Sequence, residues 1–291
     1  MPNKIKTVLL TGATGLLGHQ VVTLAPSNCR MLSIGRNPLF NNAFNFEHRK
    51  INLSSPDFIK FLPPHVDTVI HLAQSRRFRE FPQGAADVFA INTMSTARLL
   101  DYAVKSGCQE FIYASTGSVY RPTTSLLSES SSVLKFDEIQ MYPASKLAAE
   151  VILGAYSRSL RVVVMRIFFM YGPGQHESML IPRLINFIRQ GRPISLSVPD
   201  GFRFNPLYAD DVASLIWSIM DSDFSGLLNV AGPEELNLRE VCELIGKQVG
   251  VNPLFENSSG IPADFRVDLA KLESRFGAMP TRFDVGIRRM A

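Results

Sequence analysis

Along the chain, short unbroken apolar runs alternate with stretches in which apolar residues return every three or four positions. Ile5–Leu10, Arg30–Ile34, Thr68–Leu72, Glu110–Ala114 and Arg161–Ile167 are of the first kind. A strand covered by helices on both faces has no solvent side on which to alternate polar residues, so these runs predict strands of a parallel sheet. Leu16–Leu24, Ala85–Ser106 and Pro143–Ser157 carry helical spacing, and Gly107 is placed to stop the second of them. Strand–helix alternation of this kind predicts an α/β fold with a doubly wound, Rossmann-type sheet.

After Gly172-Pro173-Gly174 the rhythm loosens. Helical segments near 179–190, 211–221 and 237–249 are separated by short strands and Pro/Gly turns. The expected division is a first domain over 1–170 and a smaller α/β lobe over 171–291, with an approximate boundary that elements may cross. No internal repeat or low-complexity linker marks a clean break.

The first strand runs into VLLTGATGLLG, residues 8–18. Gly12, Gly15 and Gly18 fall between a strand and a helix. Gly12 permits a tight turn, Gly15 lets backbone approach a pyrophosphate, and Gly18 allows close helix–sheet packing. The helix that follows offers free N–H groups and a positive dipole end to the anion. A bare glycine triplet is weak evidence, but this placement favours nucleotide binding over a structural turn. NAD-binding chains of this type place a carboxylate after the second strand, against the ribose 2′-hydroxyl. Here SIGRNP (33–38) has Gly35 and Arg36 and no carboxylate. An arginine there can pair with a 2′-phosphate, so NADP is preferred to NAD, a solvent-facing Arg36 being the alternative.

Composition narrows the class. The 291 residues are 46% hydrophobic and 19% charged, with a net charge of +4, an ordinary globular balance. No Lys/Arg block suggests a nucleic-acid surface; Arg76, Arg77 and Arg79 form the densest basic cluster, read as a solvated loop or, less simply, a phosphate contact. Cys29, Cys108 and Cys242 are odd in number and widely spaced, which argues against a disulfide frame or zinc site and for a reducing compartment. The apolar run near the N-terminus is too short for a signal peptide, and none approaches the ~20 residues of a membrane span. A cytoplasmic location is expected.

Tyr142 and Lys146, in MYPASKLAAE (141–150), stand one helical turn apart. By itself the pair proves little. Taken in order, however, TGATGLLG (11–18), HLA (71–73), YASTGSVY (113–120) and YPASK (142–146) make the sequence resemble the extended short-chain dehydrogenase/reductase family. That group comprises NAD(P)-dependent sugar-nucleotide epimerases, dehydratases and reductases. RIFFMYGPGQ (166–175), NPLYADDVA (205–213) and NVAGPEE (229–235) extend the likeness over essentially the whole chain.

The resemblance implies an NAD(P)-binding first domain and a substrate-binding second lobe. It implies that Thr116, with Ser115 as the neighbouring option, Tyr142 and Lys146 are catalytic. A phenol of pKa ~10 is a poor base at neutral pH, and a cation one turn away favours the phenolate. Lys146 would supply that charge and bind the nicotinamide ribose. Tyr142 would exchange a proton with a sugar oxygen that Thr116 fixes. By position, Gly12, Thr14, Gly15, Leu16, Leu17, Gly18, Arg36, Asn52, Leu53, Leu72, Ala73, Asn92, Tyr142, Lys146 and Phe169 face the cofactor. Ser75, Thr116, Tyr142 and Arg203 face the substrate. Asn92 corresponds to the helix Asn that supports the active-site backbone, a capping or surface Asn being the alternative. A homodimer is implied too, through the helices after Asn92 and around Tyr142. Leu99, Leu100, Leu147 and Ile152 are its apolar candidates, and burial within one chain explains them equally.

Departures from the family pattern refine this. Dehydratases carry an Asp-Glu pair where this chain has Gly117-Ser118, which argues against that chemistry. Phe169 replaces an Asn commonly given to substrate, and Arg203 is offset from the usual arginine. Asp210 and Asp211 are read as helix caps before catalysts, and His176 as an exposed loop residue. No metal site is expected. The leading expectation is an epimerase or 4-keto-reductase of a nucleotide-linked sugar. Alternatives are an NADPH-dependent reductase of a non-sugar ketone or aldehyde, and a non-catalytic cofactor-binding protein of the same fold.

Overall fold

The computed structural model describes residues 5–37, 45–197, 199–259 and 263–290. Six strands in chain order are β1 (Lys6–Thr11), β2 (Cys29–Gly35), β3 (Phe46–Lys50), β4 (Thr68–His71), β5 (Glu110–Thr116) and β6 (Arg161–Ile167). A seventh, Gly226–Val230, completes the sheet, and from it the order runs β6, β5, β4, β1, β2, β3. The pairs β3–β2, β2–β1, β1–β4 and β4–β5 are parallel. Chain order therefore reverses between β1 and β4. In such sheets the crevice at that reversal, at the carboxyl ends of the strands, is where ligands bind.

The apolar runs become strands because both faces are covered: Val8, Leu9 and Leu10 are wholly buried, and every residue of β5 is buried. β5 continues two residues beyond the predicted end, which puts Ser115 and Thr116 at its tip. β3 was not predicted. FEHRK is polar and partly exposed, and it becomes a strand by pairing with β2 along the sheet's edge.

Helix α1 (Leu16–Thr23) follows the glycine turn. The helix expected over Ala85–Ser106 is interrupted: α2 (Ala85–Phe89) and α3 (Ser95–Lys105) flank a wider π-helical turn at Ala90–Met94. α4 (Met141–Tyr156) starts two residues before the predicted Pro143, so Tyr142 lies within its first turn. Pro143 is tolerated there because first-turn N–H groups have no helical acceptor. Leu99, Leu100, Ala149 and Leu153 join Val69, Phe111 and Val162 in one apolar cluster. Leu99 and Leu100 are thus core residues of this chain and unavailable to a partner, while Leu147 and Ile152 are half-buried.

The chain forms two compact units: Met1–Val119 with Leu134–Arg166 and Ala213–Leu228, and Tyr120–Val133 with Ile167–Val212 and Asn229–Ala291. Among the described residues the second unit contains three two-stranded sheets. Met170–Tyr171 runs parallel to Leu207–Tyr208, Ile194–Ser197 parallel to Phe255–Ser258, and Arg203–Phe204 antiparallel to Leu236–Asn237. Its core gathers Tyr171, Ile185, Leu196, Phe204, Val241, Ile245 and Phe283. Helix Leu238–Val249 is held at its start by a reciprocal Asn237–Glu240 capping box, and Gly250 ends it in the left-handed region.

Among the described residues no helix is long and apolar enough to cross a membrane, and no group of three His, Cys, Asp or Glu could hold a metal ion. The three cysteines are buried free thiols.

Candidate active site

The glycine turn sits at the end of β1, beside the end of β4. Gly12 has φ +78, and a Cβ there would come 2.7 Å from the Ala73 nitrogen. A Cβ on Gly18 would lie 2.6 Å from the Ala13 Cα, so α1 packs onto the turn with no room for a side chain. Thr14 and Gly15 are exposed at the rim, and no side chain caps the first N–H groups of α1. The Ala73 N–H donates to Thr11 Oγ1 at 3.1 Å, tying the two strand ends together. His71, fully buried, bridges Thr11 (2.6 Å) and Thr96 (3.0 Å), and burial holds it neutral with a pKa of about 3. A close-packed turn opening onto uncapped N–H groups fits the pyrophosphate of a dinucleotide.

Thr116, Tyr142 and Lys146 meet at the end of β5. Tyr142 hydrogen-bonds Thr116, its hydroxyl donates to Gln74 Oε1 at 3.2 Å, and its ring packs on Phe78 at 5.2 Å. Lys146 is 2% exposed. Its Nζ donates to the Ala114 carbonyl at 2.8 Å and lies 4.8 Å from the Tyr113 ring centre.

The protonation balance differs from the expected one. Burial pushes the Tyr142 phenol up to about 12, and the hydrogen bond from Thr116 only partly offsets it. Burial pulls Lys146 down to about 7, and the Glu150 carboxylate opposes that. Lys146 Nζ is turned to the Ala114 carbonyl, and desolvation dominates the phenol. At neutral pH the Tyr142 phenol therefore keeps its proton.

Behind these groups stands a polar brace. Asn92, fully buried within the π-helical turn, accepts from the Ser75 N–H at 2.9 Å and donates to Ser145 Oγ at 2.9 Å. Ser145 donates onward to the Tyr142 carbonyl at 2.7 Å, and Thr93 donates to the Ser145 carbonyl at 3.0 Å. Ser75 is fully buried; its hydroxyl donates to Asp87 and accepts from the Arg77 N–H at 3.0 Å. Sequence reasoning missed Gln74, Ser145 and the role of His71. The HLA and YPASK motifs contain or adjoin all three, but their partners lie on distant segments.

The remaining candidates are scattered more widely. Arg36 is exposed just past β2, and Asn52 makes a local turn, accepting from the Ser54 N–H at 3.2 Å. Leu53 is buried, and Leu72 is half-buried at the end of β4. Arg77 pairs with Glu80 and Arg79 stacks on Phe78, leaving this basic cluster with local partners. In the second unit, Phe169 has φ +38, the left-handed region that a bulky residue rarely occupies. It packs against Phe202, Phe204 and Phe265 at 5.7, 4.6 and 5.7 Å. Arg203 is exposed and paired with Glu235 at 3.1 Å. His176 is exposed and bonded to Ser178. Asp210 and Asp211 are not caps. They lie within the first turn of helix Ala209–Met220, where Asp211 accepts from Thr281 N and Oγ1 and Asp210 pairs with Arg289.

Residues 8–231 match the NAD dependent epimerase/dehydratase family, which covers the glycine turn, the Tyr–Lys pair and the segments after them, and the chain belongs to that family. It is 26% identical over 98% of its length to an Arabidopsis thaliana trifunctional UDP-glucose 4,6-dehydratase/UDP-4-keto-6-deoxy-D-glucose 3,5-epimerase/UDP-4-keto-L-rhamnose-reductase, and spans 47% of that enzyme's length. It is also 26% identical to an uncharacterized UDP-glucose epimerase, YtcB, from Bacillus subtilis, covering 91% of this chain and 90% of the other. Among solved structures, MoeE5 in complex with UDP-glucuronic acid and NAD superposes with a TM-score of 0.82 at 26% identity, covering 97% of this chain and 96% of the other.

Proposed function

We propose that the protein transfers hydride on a nucleotide-linked sugar, as an epimerase or a 4-keto-reductase, with Tyr142 exchanging the proton. The observation that carries this is the meeting of Thr116, Tyr142 and Lys146 at the tip of β5, with only β4 between that strand and β1, which carries the glycine turn. A bound nicotinamide dinucleotide would supply the hydride acceptor and donor. The chain's own residues do the rest. Gly12, Gly15 and Gly18 with the start of α1 would receive the pyrophosphate, and Lys146 would serve the ribose. Thr116 and Tyr142 would hold the sugar oxygen; the protonated Tyr142 donates as a carbonyl oxygen gains charge, and in the oxidative half of an epimerisation the deprotonated phenol takes a proton from the hydroxyl. A dehydratase is disfavoured because Gly117 and Ser118 offer no acid or base of their own beside Thr116.

Two finer points belong to the same proposal. Arg36 supports a 2′-phosphate and hence NADP, while the NAD in MoeE5 supports the unphosphorylated form; parallel titrations with NADH and NADPH decide. A homodimer through α3 and α4 would use Leu147, Ile152 and the 71%-exposed Val151, since Leu99 and Leu100 are already buried.

The test is incubation with reduced cofactor and a UDP- or dTDP-4-keto sugar, alongside UDP-glucose and UDP-glucuronic acid with NAD. A reductase consumes cofactor stoichiometrically. An epimerase interconverts the sugars with no net consumption. Conversion of none of these, or conversion that survives Tyr142→Phe at the wild-type rate, refutes the assignment.

A further inference from the structure

A buried ammonium is costly unless charge and hydrogen bonds compensate it, and one carbonyl is not enough for Lys146. The structure shows what stands behind that carbonyl. Ser115, the next residue of β5 after Ala114, donates its hydroxyl to Glu150. Glu150 lies one turn beyond Lys146 on α4 and is 8% exposed. Arg166, on β6 and 4% exposed, grips that carboxylate from two nitrogens. Its Nε donates at 3.1 and 3.2 Å to the two oxygens and its Nη2 at 2.5 Å to one of them. Arg166, Glu150, Ser115, the Ala114 carbonyl and Lys146 thus form one chain linking β6, α4 and the tip of β5.

We propose that Glu150 and Arg166 are positioning residues for Lys146: the carboxylate, locked by the guanidinium, fixes the strand end that receives the ammonium and balances its charge. This rests on the reading of Lys146 as a working cation of the site.

The charge arithmetic gives the two residues opposite effects. Together they leave one net positive charge at the buried cluster. Removing the carboxylate leaves two buried cations with no anion, which drives Lys146 toward the neutral amine. Removing the guanidinium leaves a carboxylate serving Lys146 alone, which strengthens the ammonium. The other titratable groups facing Lys146 are neutral at pH 7. His71 of β4 is held down at about 3, Tyr113 of β5 is held well above the ordinary phenol range, and Tyr142 of α4 is pushed up to about 12. Glu150 and Arg166 are therefore the charges that set the balance.

The experiment is a pH titration of the full chain carrying [6-13C]lysine, followed by NMR without substrate or cofactor. Lys146 is identified among the nine lysines by the signal lost in Lys146→Arg. Its wild-type midpoint is expected at about 7, well below the others. Glu150→Gln should move it down by about one unit or more, and Arg166→Met should move it up by a similar amount. A merely structural pair behaves differently: either loss admits water and moves both midpoints up toward the ordinary lysine value. Movement of both in the same direction, or of neither, overturns the proposal. Should Glu150→Gln not fold, Arg166→Lys against Arg166→Met carries the test. Charge balance leaves the midpoint of Arg166→Lys in place, and loosening raises it in both variants. Because the titration needs no turnover, its failure refutes the charge balance alone. Turnover persisting in Lys146→Met refutes the role of Lys146 itself.

Discussion

Gly18 offers a sharp test of the cofactor cradle, because its neighbours leave a measurable deficit of space. A Cβ at this position would sit 2.6 Å from the Ala13 Cα, with the Gly12 carbonyl nearer still. Non-bonded carbons prefer about 3.5–4.0 Å, so in Gly18→Ala helix α1 must withdraw by about 1 Å. Overpacking of that kind costs about 1–3 kcal/mol, which lowers the melting temperature by about 2–5 °C in a chain of this size. The same withdrawal carries the α1 N–H groups away from the pyrophosphate. The expected loss in NADH affinity is about ten-fold, ~1.4 kcal/mol, within the range a helix N-terminus contributes to an anion. The control is Gly154→Ala on α4, where a Cβ would meet nothing within 4 Å. Replacing a helical glycine in open space stabilises by about 0.5–1 kcal/mol. Scanning calorimetry and NADH fluorescence titration read both variants. Gly18→Ala melting within about 1 °C of wild type and binding NADH unchanged would refute the close-packed cradle.

Four further outcomes follow from the geometry. Tyr142→Phe should lower turnover by about 10²–10⁴-fold with NADH affinity and melting preserved, because the ring still packs on Phe78 and only the proton carrier is lost; turnover within a few-fold of wild type contradicts the mechanism. Burial holds Lys146 at about 7, below its ordinary 10.5, so between these values the unfolded chain binds more protons and this group makes stability rise with pH. Lys146→Met should therefore melt higher than wild type at pH 7 and lose that part of the rise, and a lower melting point at pH 7 speaks against it. Phe169→Ala removes three ring contacts and should cost about 2 kcal/mol in urea unfolding, less than a fully buried Phe because Phe169 is half-exposed; an unchanged midpoint shows the cluster to be loose. Arg36→Glu should weaken NADPH while sparing NADH, and equal effects on both remove Arg36 from cofactor choice.

The fold was readable where local chemistry dictates it. A strand buried on both faces must be apolar throughout, so the runs that became β1, β2, β4, β5 and β6 announced themselves. The glycine turn was equally legible, because close approach of a helix to a strand end excludes every side chain and leaves glycine as the residue that fits. β3 was not legible: Phe46–Lys50 looks like a polar loop until β2 lies beside it. The π-helical turn at Ala90–Met94 was hidden for a related reason, since its stability comes from Asn92 reaching Ser75 and Ser145.

At the candidate site the sequence by itself determined the residue types and their order. A tyrosine and a lysine stand one turn apart on a helix, a hydroxyl lies at a strand end, and a glycine turn precedes them all. What only the tertiary structure decided was how charge is shared among them. Sequence spacing suggested that Lys146 would pull the Tyr142 phenol down. Folding instead buries Lys146 and half-buries Tyr142, turns the ammonium to the Ala114 carbonyl and brings Glu150 and Arg166 in behind it. Desolvation and distance between side chains set protonation, and neither exists until separate segments of the chain pack against one another.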